Sequence, residues 1–438
     1  MKLFSHAAAA AILLFAVGCK EPAKKAAPAK ADAKKADADK PALKADKGVD
    51  VATKTIKIGV LNDESGPAAT IGKPYALGKR ILAAQVNAGK SGLLPAGWKI
   101  ELVEKDHGYN PGKSEQAFKE IKDQVLFIGT SFGTPNTLPL RPFLKQDNVV
   151  AYPASLSSQM AEFAHTPPAG PNYSVEARRA MDWVVEAAGG ADKVKAGIVY
   201  QQDDYGKDGH AGWKQAAAQH KVTIASEQTV APGQKDFTAV ITALKGAGAT
   251  HVLLTVLPSS TGPLLGTAAK MKFGPTWIGN TPAWIDPFFA HPKLPAPVFA
   301  NFHLVQGGPF FGEEVKGMPG FLKAFKAHSG GARPDSYTLL SYGQGRVALE
   351  AARKAIEAGD ISRAGYVKAL QGIKGYDAGG LFQPVDYTKV PYVVSTKTRV
   401  LKPDFEKKTW TTVAPYADPK AAPAAPPTKP VAATGQPG

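Results

Sequence analysis

The chain has 438 residues, which is enough for two domains or slightly more. Hydrophobic residues make up 44% and charged residues 21%, so a buried core can extend over most of the length. The excess of 53 Lys and Arg over 37 Asp and Glu gives a net charge of +16, but no basic run or nucleic-acid-binding module is present, and no nucleic-acid partner is predicted. The single cysteine, Cys19, excludes an internal disulfide and a cysteine-based metal site. We predict no metal and no cofactor.

The N-terminus has the pattern of an export signal. Residues 7–17 form an apolar run that is too short to span a bilayer but typical of a signal peptide. The run ends in the letters AVGC at Cys19, and small residues before a lone cysteine resemble a bacterial lipoprotein cleavage box. Ala16 stands where that box usually has leucine. We therefore expect residues 1–18 to be a lipoprotein signal peptide and Cys19 to be lipidated. The alternative is an ordinary signal peptide with an incidental cysteine.

Two segments have compositions that cannot bury a core. Residues 19–54 are built largely from Ala, Lys, Asp and Pro, and after the lipidated Cys19 they are predicted to form a disordered tether. Residues 413–438 are rich in Pro and Ala and are predicted to form a disordered tail. The folded part is therefore expected between them.

Strand and helix patterns alternate through the folded part. The predicted strands cover residues 55–61, 99–103, 125–129, 149–152, 196–200, 222–229, 250–256 and 276–279. The predicted helices cover residues 72–87, 111–122, 174–188, 206–220, 236–247 and 261–271, and Ser174 is expected to cap the third of them. This alternation predicts parallel sheets with right-handed crossovers, and ligands of such sheets bind outside the carboxyl ends of the strands.

Three motifs of known chemistry are absent or incomplete. Residues 66–73 resemble a phosphate-binding loop but are one residue too long, and Pro74 replaces the required Ser or Thr. Residues 343–348 have the letters of a dinucleotide motif but lie inside a predicted helix, 341–358. Residues 129–133 have the letters Gly-x-Ser-x-Gly, but nothing in the neighbouring sequence arranges a catalytic triad around Ser131. An enzyme on an α/β scaffold stays open as an alternative, because catalytic triads assemble in space, but no motif favours it.

Several stretches together resemble the periplasmic leucine/isoleucine/valine-binding family. They are the stretches IGVL at 58–61, SGP at 65–67, GTSFGTPN at 129–136, ASLS at 154–157 and VYQQDDYG at 199–206. Their order and spacing carry the resemblance, which covers roughly residues 55–410. It implies an α/β type I periplasmic binding protein, with two doubly wound parallel-sheet lobes joined by a three-segment hinge. By this resemblance lobe one comprises 55–173 and 302–385, and lobe two comprises 174–301 and 386–412. No catalysis is implied.

The resemblance also implies a ligand site between the lobes. The residues predicted to bind the ligand are Ile71, Thr134, Ala154, Ser155, Leu156, Ser157, Tyr205, Leu257, Thr281 and Trp284. Thr134 and the 154–157 loop are expected to receive the ligand carboxylate, and Tyr205 to reach the ligand from lobe two. The alternatives are that Thr134 and Ser157 only cap helices and that Tyr205 is a packed surface residue.

Two departures from the family concern the lobe-two side of this site. The family's amino-acid binders have an acidic residue for the ligand ammonium where this chain has Thr281, and the nearest carboxylate in the loop is Asp286. The loop at Leu257 lacks the family's aromatic residue, for which Trp284 and Phe288 can supply bulk. Burying an ammonium without a carboxylate partner costs roughly several kcal/mol of binding free energy. The pocket is therefore expected to hold a carboxylate, or another small hydrophobic solute, that has no amine.

The expected function is that of an extracytoplasmic solute-binding lipoprotein of an ABC importer. Its solutes would be branched-chain amino acids or related hydrophobic or aromatic carboxylates, and its partner an ABC permease in the inner membrane. We expect it in the periplasm or cell envelope, anchored by the lipid at Cys19. The alternative is a ligand-sensing receptor of the same fold that is not coupled to transport.

Overall fold

A computed structural model describes residues 42–420. The predicted signal peptide, Cys19 and the larger part of both predicted disordered segments lie outside these residues. Within 42–420, no helix has both the length and the apolar character needed to cross a membrane.

The described residues alternate strands and helices, as predicted. The strands are β1 (Val49–Asp50), β2 (Thr55–Asn62), β3 (Lys99–Asp106), β4 (Phe127–Phe132), β5 (Ala151–Ala154), β6 (Lys195–Gln201), β7 (Thr223–Val230), β8 (His251–Thr255), β9 (Thr276–Gly279), β10 (Phe302–Gln306), β11 (Lys374–Tyr376), β12 (Val385–Asp386), β13 (Val393–Val394), β14 (Thr398–Asp404) and β15 (Thr409–Ala417). The helices are α1 (Ala69–Asn87), α2 (Pro111–Ile121), α3 (Thr134–Thr137), α4 (Arg141–Gln146), α5 (Tyr173–Ala188), α6 (Asp204–His220), α7 (Thr238–Gly246), α8 (Pro258–Lys270), α9 (Met318–His328), α10 (Ser336–Glu357) and α11 (Arg363–Leu370).

The first sheet has four parallel strands in the order β3-β2-β4-β5, and β1 pairs antiparallel with the start of β2. Both faces of this sheet are covered. On β4, Phe127 packs into a cluster with Leu339 and Tyr342 of α10, whereas the next residue, Ile128, packs on the opposite face with Ile121 of α2. Successive side chains of a strand point to opposite faces, so a wholly apolar strand such as β4 requires helices on both sides.

The second sheet has seven strands in the order β15-β14-β10-β9-β8-β6-β7. The five strands β6 to β10 are parallel, and β14 and β15 extend the sheet antiparallel beside β10. Leu253 of β8 packs with Trp213 of α6 on one face, and Leu254 packs with Leu264 of α8 on the other. The type I α/β fold expected from the sequence is therefore present, with two lobes that each contain a helix-covered sheet.

The chain passes between the two sheets three times. The passages are residues 155–172, between β5 and α5, residues 307–317, between β10 and α9, and residues 395–397, between β13 and β14. A small antiparallel sheet of β11, β12 and β13 precedes the third passage.

The lobe boundaries differ from those predicted. Strand β10 was expected to open the second part of lobe one at 302, but it pairs with β9 in the second sheet. Residues 386–394 were expected in lobe two, but Tyr387 and Tyr392 are buried in the core of the first lobe. Hydrogen bonds hold them there, because the two tyrosine hydroxyls donate to the carbonyls of Pro168 and Ala164, both at 2.6 Å. Strands this short carry too little pattern for their sheet to be predicted.

The folded part also extends further at both ends than its composition indicated. Lys44, in the predicted tether, donates its N–H to Gly359 O at 3.0 Å and accepts from the N–H of Ile361 at 2.8 Å. Strand β1 lies in the same segment, and β15 continues to Ala417, five residues into the predicted tail. The prediction of disorder was therefore wrong for 43–54 and for 413–417. These polar residues are held in place by backbone hydrogen bonds, and amino-acid composition does not reveal such bonds.

Helix α5 has one of its two predicted end residues. Asn172 caps it, not Ser174, and the Asn172 side chain accepts from the N–H of Val175. The predicted stop at Gly189 is confirmed, because this residue has the left-handed conformation with φ 74°. The 343–348 motif lies inside α10, which agrees with its rejection as a dinucleotide site.

Candidate functional site

The carboxyl ends of the parallel strands of both sheets face one another, and two adjoining cavities lie between them. The first, the cleft cavity, has about 590 Å³ of space not filled by atoms, part of it open to solvent. The second, the hinge cavity, has about 660 Å³ and is lined partly by residues of the first and second passages. Five residues belong to the walls of both cavities: Leu156, Ala169, Thr281, Tyr337 and Leu340.

Most residues predicted for the site are brought together here. Those that line the cleft cavity are Ile71, Thr134, Ala154, Ser155, Leu156, Tyr205, Leu257 and Thr281. Trp284 lines the hinge cavity only. Ser157 is buried but lines neither cavity, since the chain turns away from the cleft after Leu156.

Two hydroxyls from different strand ends form the polar end of the cleft cavity. Thr134 begins α3 after β4, and Ser155 follows β5, the neighbouring strand. Their oxygens are 2.7 Å apart, and Ser155 Oγ also accepts from the N–H of Ser157 at 3.2 Å. Only one hydroxyl hydrogen can lie between the two oxygens, so the other can be donated elsewhere. The Tyr173 hydroxyl, which is hydrogen-bonded to the Ser155 side chain, and a bound carboxylate oxygen are both suitable acceptors.

A glycine fixes the position of Thr134. Gly133 has φ 89°, and a Cβ at this position would lie 2.7 Å from Asn136 Nδ2 and 2.8 Å from the ring of Tyr109. Only glycine adopts this backbone and leaves room for both neighbours. The turn after β4 therefore directs Thr134 toward Ser155.

Tyr205 faces the cavity with its ring and not with its hydroxyl. The hydroxyl is used inside lobe two, where it donates to Asn280 Oδ1 at 2.7 Å and lies 3.2 Å from Val256 O. The ring packs edge-on against Tyr173, with centroids 4.7 Å apart. The geometry therefore assigns Tyr205 apolar contact with a ligand.

A carboxylate that sequence reasoning missed lies behind Thr281. Glu176 of α5 is fully buried, accepts the N–H of Thr281 at 3.0 Å and is hydrogen-bonded to Thr281 Oγ1 at 2.5 Å. Burial raises the pKa of Glu176 to about 8. Glu176 lines neither cavity, so Thr281 separates it from any ligand. No signal in the sequence links these two residues, which are 105 positions apart.

Asp286, the carboxylate noted in the sequence, lines the hinge cavity and not the cleft cavity. Its Oδ2 accepts the N–H of Ser336 at 2.7 Å and the Ser336 hydroxyl at 2.8 Å, and its Oδ1 accepts from Trp284 Nε1 at 3.3 Å. Burial raises the pKa of Asp286. Its hydrogen bonds are therefore already made within the protein.

The remaining wall of the cleft cavity is aromatic and was largely missed. Its unpredicted members include Tyr75, Tyr109, Phe132, Tyr173, Tyr337, Leu340 and Gln344. The residues from 337 onward belong to α10, whose N-terminal turn reaches the cleft from lobe one. Among the residues that line the cleft cavity there is no Asp, Glu, Lys, Arg or His.

A buried lysine stands one side chain behind the lobe-one wall. Lys79 Nζ donates to Ser341 O at 2.7 Å and to Gln344 Oε1 at 3.3 Å, and it lies 5.5 Å from the centre of the Tyr75 ring. Burial lowers the pKa of Lys79. An anion bound at Thr134 and Ser155 would favour its protonated form.

Hydrogen bonds close the cleft on both sides of the cavities. The Tyr109 hydroxyl of lobe one donates to Asp203 Oδ2 of lobe two at 3.2 Å. On the other side, Tyr337 donates to Thr281 O at 2.7 Å, beside the Ser336–Asp286 contact. The structure is therefore a closed form, in which the two lobes are in contact on both sides of the cavities.

The site contains no metal-binding arrangement within the described part of the chain, where no group of three His, Cys, Asp or Glu side chains could hold an ion. What the geometry offers is a mostly apolar chamber with hydroxyls at one end. Such a chamber suits the capture of a small solute.

Comparison with known proteins identifies the family. A family model described as "Periplasmic binding protein" matches residues 55–402. A curated protein of Pseudomonas aeruginosa, named "Amino acid binding protein", is 23% identical over 345 residues, which cover 76% of this chain and 88% of that protein.

Solved structures show the same fold. A fatty acid ABC transporter substrate-binding protein from Thermomonospora curvata is 24% identical, with a TM-score of 0.79 over 86% of this chain and 96% of that one. A branched chain amino acid ABC transporter structure from Thermus thermophilus with bound valine is 18% identical, with a TM-score of 0.74 and coverage of 84% and 97%. A solute binding protein from R. palustris in complex with 4-hydroxybenzoate is also 18% identical, with a TM-score of 0.69 and coverage of 84% and 98%. The chain thus belongs to the periplasmic binding protein family and is an extracytoplasmic solute-binding protein with the type I fold.

Proposed function

We propose that the protein is the solute-binding component of an ABC importer for hydrophobic or aromatic carboxylates that lack an amine. The solute's carboxylate is bound at Thr134 and Ser155, and its apolar part lies against the aromatic wall of the cleft cavity. Closure of the lobes around the solute produces the form that docks on an ABC permease. The protein itself performs no chemistry.

One observation carries this proposal. The cleft cavity has the hydroxyls of Thr134 and Ser155 at one end, and the rest of its wall is mostly apolar and aromatic and contains no charged side chain. An anion with an apolar body fits such a site, because hydrogen bonds to an ionised acceptor are stronger than those between neutral groups. A second charge on the solute would find no partner in the wall.

The hydroxyl pair provides the test. We expect Thr134→Val combined with Ser155→Ala to weaken the binding of 4-methylpentanoate and 3-phenylpropanoate by roughly tenfold to a hundredfold, since hydrogen bonds to a charged group contribute about 1.5–3 kcal/mol. Titration calorimetry measures the change. Thr223→Val, on the exposed start of β7, is the control and should bind like the unaltered protein. Equal affinity of the double variant and the control would contradict the proposed carboxylate position, and no binding of any acid would contradict the proposed function.

We further propose that the protein is anchored to the membrane by a lipid on Cys19, which lies outside the described residues. The proposal rests on the lone cysteine that follows an apolar run and small residues. We expect Cys19→Ser to move the protein from the membrane fraction to the soluble extracytoplasmic fraction, because the acyl chains supply the anchoring free energy. Fractionation followed by immunoblotting measures this. A variant that stays with the membranes as fully as the unaltered protein would exclude the anchor.

A further inference from the structure

The hinge cavity is as large as the cleft cavity and joins it, but the proposed contacts of a small carboxylate do not use it. The two cavities share the apolar residues Leu156, Ala169 and Leu340 and the polar residues Thr281 and Tyr337. The hydroxyls of the two polar residues are already hydrogen-bonded within the protein, to Glu176 and to Thr281 O. A solute whose carboxylate is bound at Thr134 and Ser155 therefore has an apolar path from the first cavity into the second.

The walls of the hinge cavity favour an apolar occupant. Its buried polar side chains already make hydrogen bonds within the protein. Asp286 accepts from Ser336 and Trp284, Tyr337 donates to Thr281 O, and Gln306 Nε2 donates to Gly308 O at 3.1 Å. An apolar group placed beside these three side chains breaks none of these bonds.

The floor of the hinge cavity is built from small residues of the passages between the lobes. Gly308 is held in place because its carbonyl accepts from Arg399 and Tyr416 as well as from Gln306, each at 3.1 Å. A Cβ added at Gly308 would meet no atom within 4 Å, and one added at Gly170 would meet only Leu156 Cδ2, at 3.8 Å. Space next to these glycines is therefore open in the closed protein.

We propose that the hinge cavity is a second subsite, which binds the distal part of an elongated apolar carboxylate. The solute class is then an unbranched acyl chain, or an aryl-substituted one, that is longer than the side chain of a branched-chain amino acid. This inference rests on the proposed function, since it takes the carboxylate to be bound at Thr134 and Ser155. It adds that the tail lies against the passages that bend during closure.

Affinity as a function of chain length tests the subsite. Hexanoate, octanoate and decanoate are titrated against the unaltered protein by calorimetry. Burying one methylene contributes about 0.8 kcal/mol, so each added pair of methylenes should tighten binding roughly tenfold as the tail enters the hinge cavity. Affinity that stays level from hexanoate to decanoate would overturn the second subsite and leave the proposed function standing. Failure of all three acids, and of 3-phenylpropanoate, would overturn both.

Two variants place the effect in the hinge cavity. Gly308→Leu and Gly170→Val add side chains where a Cβ fits, so each should weaken decanoate binding at least tenfold and change hexanoate binding by less than about twofold. The control is Gly246→Leu, because Gly246 lies at the exposed end of α7 and a Cβ there also meets no atom within 4 Å. Thermal unfolding confirms that each variant folds. If both hinge variants bind decanoate as the control does, the tail lies elsewhere and the inference is wrong.

Discussion

At pH 7 the protein should bind 4-methyl-2-oxopentanoate at least tenfold more tightly than leucine. The two solutes share a carboxylate and a branched apolar end, but leucine must also bury an ammonium. The wall of the cleft cavity contains no carboxylate, Glu176 is shielded by Thr281, and Asp286 lines the other cavity. Burying an unpaired charge costs roughly a few kcal/mol, even when local water reduces this free energy, so leucine should bind more weakly.

Titration calorimetry of matched pairs measures this preference. The pairs are leucine with 4-methyl-2-oxopentanoate, leucine with 4-methylpentanoate, and phenylalanine with 3-phenylpropanoate. Thr281→Glu is the companion variant, and it should shift the preference toward the amino acids because it supplies the missing anion at the wall. Tighter binding of both amino acids to the unaltered protein would show that a carboxylate does reach the ammonium.

Glu176 is the residue to examine in that case. Its pKa of about 8 means that it is largely protonated at pH 7, and ionising it to meet an ammonium would release a proton. Leucine binding would then strengthen as the pH rises toward 8, and Glu176→Gln would weaken it without changing the affinity for the oxo acid. This pH dependence distinguishes pairing of the ammonium with Glu176, beside Thr281, from pairing with a carboxylate elsewhere in the protein.

Glu176→Gln should stabilise the empty protein by about 2–4 kcal/mol near pH 9 and leave its stability almost unchanged near pH 4. Burial raises the folded pKa of Glu176 from the ordinary 4.5 to about 8, so the folded state keeps a proton that the unfolded chain has lost. The stability linked to this group is complete below pH 4.5 and is lost as the pH rises to about 8. Glutamine cannot ionise, and it can still accept the N–H of Thr281 and bond to its hydroxyl.

Urea unfolding across this pH range measures the difference between the two proteins. Asp335, whose pKa is raised to about 8 by burial and by the neighbouring Asp286 carboxylate, adds a similar slope to both of them. The control is Glu186→Gln on the exposed side of the same helix, which should follow the unaltered protein at every pH. A Glu176→Gln curve parallel to that of the unaltered protein would mean that folding does not raise the pKa of Glu176.

The sequence was most informative where a property is local. Wholly apolar strands such as β4 and the glycine stop of α5 follow from the residues themselves, and both are found. Thr134 and Ser155, which the family motifs indicated, lie side by side in the structure because each follows a buried strand and neighbouring parallel strands end at the same edge.

The parts that could not be predicted depend on contacts between distant segments. Tyr337 and Gln344 reach the cleft only because α10 returns to the first lobe after the second passage, and nothing near them in the sequence marks this. Glu176 reads as an ordinary acidic residue in the first turn of a helix until Thr281 is packed against it. The edge strands β1 and β15 were missed for a related reason, since pairing with a neighbour orders them and their own composition does not.

The hydrogen bonds between Ser336 and Asp286, and between Tyr109 and Asp203, join the lobes through protein atoms alone. They lower the free energy of the closed form relative to the open one, so they raise the fraction of solute-free molecules that is closed. The fraction that is already closed adds to the apparent affinity, because less of the binding free energy is consumed in closing the hinge. A partner that recognises only the closed form would also bind the closed molecules that carry no solute. Stronger contacts between the lobes therefore favour tight solute binding, whereas weaker contacts reduce the binding of solute-free molecules to such a partner.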